Sequence, residues 1–152
     1  MLDPDFFEFE ADFISSLRCI PLKVRLKLDT CGVKLKLNHW QQFTQVEKQQ
    51  LVSLPCEQPA EIAHYRRFLQ NLVIAHTGQP AKELAIDPAP AWLVASKLPL
   101  DVINQAAKVN QTITLAQWSS LTPLQRFALI KLSRPSHENR NFLPALKEFN
   151  LL

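Results

Sequence analysis

Glycine is nearly missing from this 152-residue chain, with only Gly32 and Gly78 present. The tight turns of β-sandwiches and barrels need positive-φ positions that glycine fills best, so an all-β architecture is disfavoured. Long apolar runs are missing too, and no stretch reaches the roughly 18 residues of a membrane-spanning helix. Residues 1–12 are acidic and aromatic, not basic and then apolar, so no secretory leader is expected there. The three cysteines, Cys19, Cys31 and Cys56, include no pair two residues apart, and His39, His64, His76 and His137 are scattered. Structural metal sites usually announce themselves by close-spaced ligands, and disulfide frameworks need more cysteines. No metal and no cofactor is therefore expected. Glycine-rich phosphate loops, GxSxG elbows, HExxH helices and dinucleotide fingerprints are missing as well. The expectation is a cytoplasmic protein that is not an enzyme.

What is present suits helices. Apolar residues make up 47% of the chain and charged ones 20%, a globular balance at a length that can bury one sizeable core. The expected class is all-α, in a single domain over residues 1–152. The net charge of +3 hides a sharper pattern. Residues 1–17 hold Asp3, Asp5, Glu8, Glu10 and Asp12 and no base. Residues 18–37 hold Arg18, Lys23, Arg25, Lys27, Lys34 and Lys36 against Asp29 alone. An acidic arm lying in solvent beside a basic helix explains this, and so does a basic docking face for an acidic partner. No dense basic run or recognition motif accompanies it, so nucleic acid is not an expected partner.

A repeat is visible at an offset of 78 residues without a gap. Residues 20–54 align with 98–132: Pro21 falls on Pro99, Val24 on Val102, Leu37 on Leu115, Trp40 on Trp118, Thr44 on Thr122 and Leu51 on Leu129. Gly32 falls on Asn110, the two residue types that best tolerate a left-handed helix end. The alternation of Leu22, Val24, Leu26 and Leu28 by itself reads as a strand, but Val102, Ile103, Ala106 and Val109 follow helical spacing. Both segments are therefore expected to be helices starting after a proline. A short extended stretch follows in each, then a short helix carrying Trp40 or Trp118. The capping pairs Thr44–Glu47 and Thr122–Gln125 then open helices ending near Leu54 and Leu132.

A longer helix is expected from Ala60 to His76, closed by Gly78. Residues 79–91 hold three prolines and form the expected connector. The expected organisation is an arm at 1–17, repeat one at 18–78, the connector, and repeat two at 92–152. Helix, tight loop, extended pair and helix, occurring twice, is similar in geometry to paired EF-hands, with a two-stranded ribbon pairing 33–37 with 111–115. His39 or Gln117 would stand where such a loop needs a closing Glu, so no calcium is expected. After Ser136 a helical stretch should be split by Pro144.

Buried, unreactive thiols are the expected state of the cysteines. Cys31 stands at a helix end, where the dipole favours the neutral thiol. The polar run Ser136–Asn141 exceeds what a helix start requires, which singles out His137, Asn139, Arg140 and Asn141 as a second contact surface beside Arg18, Lys23, Arg25, Lys34 and Lys36.

The opening FEFEADFISSLRCIPLKVRLKLDTCGVKLKLNHW, then LVSLPCEQPAE, then SHENRNFLPALKEF resemble the nitrate reductase associated protein family. These are small bacterial proteins, including cyanobacterial ones, encoded near assimilatory nitrate reductase. Residues 6–56 and 119–150 carry the likeness best, and 79–97 do not contribute to it. The resemblance implies an accessory role supporting the formation of active nitrate reductase, through assembly, maturation or cofactor loading, with the enzyme or its immature form as partner. It implies no catalytic residues. Two other readings stand beside it: a redox or metal carrier using Cys19 and Cys56, and a small-molecule sensor.

Overall fold

The computed structural model describes residues 6–11, 16–135 and 137–152. The structure is 61% helical, with eight α-helices among the described residues against a ribbon of two residues per strand, which makes the fold all-α. The chain forms two compact units, Met1–Asp87 and Pro88–Leu152. The boundary falls within the proline-rich stretch.

In the first unit, α1 (Leu22–Cys31) begins after Pro21 and ends at Gly32, whose φ of 75° is left-handed. The Gly32 amide closes the end by donating to Leu28 O at 2.9 Å. A side chain there would also collide, because an added Cβ would lie 2.8 Å from both Leu84 O and an Ile86 side-chain carbon. α2 (Leu37–Gln42) carries Trp40, and α3 (Gln45–Ser53) opens with a reciprocal cap. The Thr44 hydroxyl accepts from the Glu47 amide at 3.1 Å, and Glu47 Oε1 accepts from the Thr44 amide at 2.8 Å. α4 (Pro59–Thr77) runs to the left-handed Gly78. Val24, Trp40, Leu51, Val52, Tyr65, Leu69 and Val73, one set of faces from four helices, form the fully buried core.

The second unit follows the same order. α5 (Leu100–Lys108) begins after Pro99, α6 (Leu115–Ser120) carries Trp118, and α7 (Pro123–Leu132) opens with the Thr122–Gln125 cap. Asn110 takes the left-handed conformation at φ 59°. Helix starts thus recur at the offset read from the sequence, and helix ends fall within one residue of it. Each tryptophan is anchored to the segment that precedes the first helix of its repeat. Trp40 Nε1 donates to Leu17 O at 2.8 Å and Trp118 Nε1 to Val94 O at 3.2 Å. Gln45 on α3 binds Ser16 O, and Ser119 on α6 binds Ala95 O, so residues 16–17 and 94–95, 78 apart, are each tied to helices that follow them in their own unit.

Two expectations are corrected. The ribbon does not pair 33–37 with 111–115: β1 (Val33–Lys34) pairs antiparallel with β2 (Lys82–Glu83), Val33 opposite Glu83 and Lys34 opposite Lys82. The cause lies in α4, where Gln70 exchanges hydrogen bonds with both backbone groups of Ala81, at 2.8 and 3.0 Å. That fastening lays residues 82–84 along β1, and Leu84 N then donates to Gly32 O at 2.8 Å. In the second unit Thr114 instead caps α6, exchanging hydrogen bonds with Gln117. The EF-hand-like ribbon is therefore not formed. Nor does Pro144 split the last helix. A 3-10 turn (His137–Asn141) leads into α8 (Phe142–Glu148), and Pro144 sits in its first turn, where no amide is needed.

Candidate partner-binding surface

The basic residues of 18–37 do not share one environment. Arg18, Lys34 and Lys36 are exposed, and Lys23 and Arg25 on α1 are half-buried. Lys27 turns inward and is buried. Its ammonium donates to Val52 O and Leu54 O, both at 2.6 Å, and lies 5.5 Å from the centre of the Tyr65 ring. The carbonyls at a helix end lack partners within the helix. Lys27 supplies them for α3 and places a positive charge where its dipole is negative. Sequence periodicity puts Lys27 on the α1 stripe with Val24 and Cys31, which is the signal that it faces in.

β1 adds what local reading could not. Lys34 stands directly opposite Lys82, and both are exposed. Like charges facing each other across a ribbon repel, so this pair costs stability and is relieved by a negative partner. The other ribbon position points to α4, where Arg66 bonds the Glu83 carboxylate. Lys36 precedes α2 and its amide donates to His39 Nδ1 at 3.3 Å. Burial first, and then the Lys36 charge, hold the His39 imidazole below its ordinary range. Lys34 and Lys82 are thus the cations that the fold brings together, with Lys82 coming from the connector and Lys36 two residues after Lys34 in the chain.

The acidic arm is not wholly in solvent. Glu8 is exposed, but Glu10 is buried and its Oε1 accepts from the Leu22 amide at 3.2 Å, capping α1. Asp3, Asp5 and Asp12 lie outside the described residues, as does Ser136. In the second unit the 137–141 turn carries Arg140 exposed and Asn139 and Asn141 half-buried. Asn141 precedes α8 without a side-chain cap bond. His137 shares this turn. The exposed apolar residues Leu100, 69% exposed, and Ile103, 45%, lie on the outer face of α5 and were not singled out by the sequence reading. Their signal was a second apolar pair on α5, Leu100 and Ile103, spaced three apart and off the buried Val102–Ala106 face.

Cys31 and Cys56 are buried and Cys19 is half-buried. Cys31 Sγ donates to Leu28 O and Cys56 Sγ to Lys27 O, each at 3.8 Å. A hydrogen bond from the Cys56 thiol outweighs burial and holds the Cys31 thiol below its ordinary range, with help from the Arg66 charge. The same bond, together with burial, pushes Cys56 up. Among the described residues no group of three or more His, Cys, Asp or Glu could hold a metal ion. Among them, too, no helix is long and apolar enough to cross a membrane. The outer face of α3 bears a shallow depression lined by Gln45, Val46, Gln49, Gln50 and Ser53, all uncharged.

Neither the curated proteins nor the solved structures yield a match to this chain. A family profile does match, and it spans residues 6–149, running through the proline-rich connector that the sequence likeness left out. Its description is of a protein associated with nitrate reductase, not of the reductase. The segments that carried the likeness include α1, β1 and the 137–141 turn, the elements that bear the contact residues above. The chain belongs to the conserved nitrate reductase-associated protein family.

Proposed function

We propose that this chain is a non-catalytic, cytoplasmic accessory protein that binds assimilatory nitrate reductase or its immature form and supports formation of the active enzyme. Family membership over residues 6–149 is the observation that carries this reading. Assembly, maturation and cofactor loading all need a small binding body. Helices closed by reciprocal caps, and a core of fully buried aromatic side chains, suit a rigid one. The contact residues we assign form two separate sets, Arg18, Lys23, Arg25, Lys34 and Lys36 in the first unit, and His137, Asn139, Arg140 and Asn141 in the second. Lys82 joins the first set through the ribbon. We also read the recurring elements as an internal duplication, supported by helix starts at one offset and by tryptophans anchored to the matching segments 16–17 and 94–95.

Deleting the gene should lower nitrate reductase activity on nitrate without lowering the reductase transcript. Growth on ammonium should not change. Normal activity and normal growth on nitrate in the deletion strain would remove the reading. If the cationic set docks the partner, reversing Lys34, Lys36 and Lys82 to Glu should weaken co-purification with the reductase. Association should also weaken as salt shortens the Debye length from about 10 Å to about 3 Å. Salt-independent association that survives the triple reversal would move the contact to the apolar α5 face or the 137–141 turn.

A further inference from the structure

We infer that Cys31 and Cys56 form a redox-active dithiol that closes to a disulfide when a small peroxide reaches it. The two thiols come from separate elements, the last turn of α1 and the loop between α3 and α4. Each sits 3.8 Å from one of two successive carbonyls of the same helix: Cys31 Sγ donates to Leu28 O and Cys56 Sγ to Lys27 O. Residues 27 and 28 are one step apart on α1, so both sulfurs lie against the same stretch of that helix. A Cys56 S–H turned from Lys27 O toward a Cys31 thiolate would favour that thiolate, and this is the leading influence lowering Cys31.

Buried cysteines in apolar surroundings are ordinarily inert because burial raises their pKa. This pair differs. Around it stand the Lys27 ammonium, the Arg66 guanidinium and the hydroxyl-bearing ring of Tyr65, whose Oη donates to Leu51 O at 2.7 Å. The cations favour a thiolate, and the second thiol favours it at Cys31. Nothing in the helical plan requires sulfur at these positions: the residues 78 further along the chain are Val109 and Arg134. The pair belongs to the first unit alone, and this inference does not rest on the nitrate reductase reading.

The chemistry balances with hydrogen peroxide as oxidant. The Cys31 thiolate attacks one peroxide oxygen, the O–O bond breaks, and the departing hydroxide takes a proton to become water. The Cys31 sulfenic acid is then attacked by the Cys56 sulfur. The S–S bond forms, the S–O bond breaks, and the hydroxide leaves as a second water with the Cys56 proton. Two thiols lose two electrons and two protons, and one peroxide becomes two waters. Cys31 is fully buried and Cys56 is only 6% exposed, which admits a small oxidant far more readily than a bulky disulfide reagent. The bond would tie the end of α1 to the loop whose Leu54 carbonyl Lys27 already holds.

The test uses the full chain with Cys19→Ser, treated with hydrogen peroxide, then denatured, alkylated and mapped by mass spectrometry. The expected result is loss of both alkylatable thiols, a peptide linking Cys31 to Cys56, and reversal by dithiothreitol. A bulky aromatic disulfide should oxidise the native protein at least tenfold more slowly. Two thiols still alkylatable after peroxide has consumed free cysteine would overturn the inference. So would sulfonic acid on either cysteine with no linked peptide. The unmutated chain, mapped in the same way, keeps the test decisive should the variant fold poorly, and a Cys19–Cys56 link there would also overturn it.

Discussion

Lys27 in the first unit and Gln105 in the second occupy corresponding turns of α1 and α5, and both are buried. Lys48 and Arg126 correspond in the same way on α3 and α7, buried again. The two units therefore set polar groups inside at the same places but use them differently. Lys27 caps the end of α3, and Lys48 lies over Trp40, 5.7 Å from the ring centre. Arg126 donates to Trp92 O at 2.7 Å, Leu121 O at 2.6 Å and Trp118 O at 3.4 Å. Burial lowers the affinity of that guanidinium for its proton, and three carbonyls hold it. A position that must reach inward can be filled by any side chain that finds partners there. Burial is thus a property of the helical plan, and chemistry is a property of the residue.

Substitutions at corresponding positions can break this comparison. The largest effects should come from the tryptophans. Trp40→Ala and Trp118→Ala should each cost about 3–5 kcal/mol in chemical denaturation, since both side chains are fully buried. A small loss at only one of them would mean that the two units do not share a plan. Next come the interior cations, where the counterparts should separate. Arg126→Met leaves three carbonyls without their donor and should cost about 2–4 kcal/mol, while Lys48→Met should cost about 1 kcal/mol or less. Lys27→Met should resemble Arg126→Met, because two carbonyls lose their donor.

The left-handed positions sharpen the contrast further. Gly32→Ala meets both the positive φ and the contact with Leu84 O, and should cost about 2–3 kcal/mol. Asn110→Ala, which meets the first only, should cost about 1 kcal/mol.

The caps give the smallest difference, visible in pH. Burial alone would raise the Glu47 carboxyl, but the Thr44 amide and His76 Nε2, 2.8 Å away, bring it below its ordinary value. A lowered pKa means stability that is present above the unfolded value and lost as pH falls through the folded one. Glu47→Gln should flatten the acid limb of the stability curve below the ordinary carboxylate range. Gln125 cannot titrate, so Gln125→Ala should shift the curve without changing its shape. An unchanged acid limb in Glu47→Gln would place the titration elsewhere.

Helix boundaries were legible where the deciding bonds are local. Thr44 and Glu47 are three residues apart, and Pro21, Gly32, Gly78, Pro99 and Thr122 act within one turn of the residue they punctuate. The class and the order of the helices were readable for that reason. The contact residues were legible only as types. Arg18, Lys34 and Lys36 are exposed, but nothing near Lys34 in the chain points to Lys82, and Lys27 counted as one more base until its two carbonyl acceptors were seen. The ribbon partner was misread because the repeat suggested symmetry. The actual partner is fixed by Gln70 reaching Ala81 across the first unit.

The chain alone determined an all-α fold with the same cap, tryptophan and turn signals twice over, since these depend on neighbours within a few residues. Only the tertiary structure decided which strand joins Val33, which lysine is drawn inside, and that Cys56 reaches the same stretch of α1 as Cys31. Those outcomes hang on groups 25 to 50 residues apart competing for the same carbonyls and edges, and burial settles that competition.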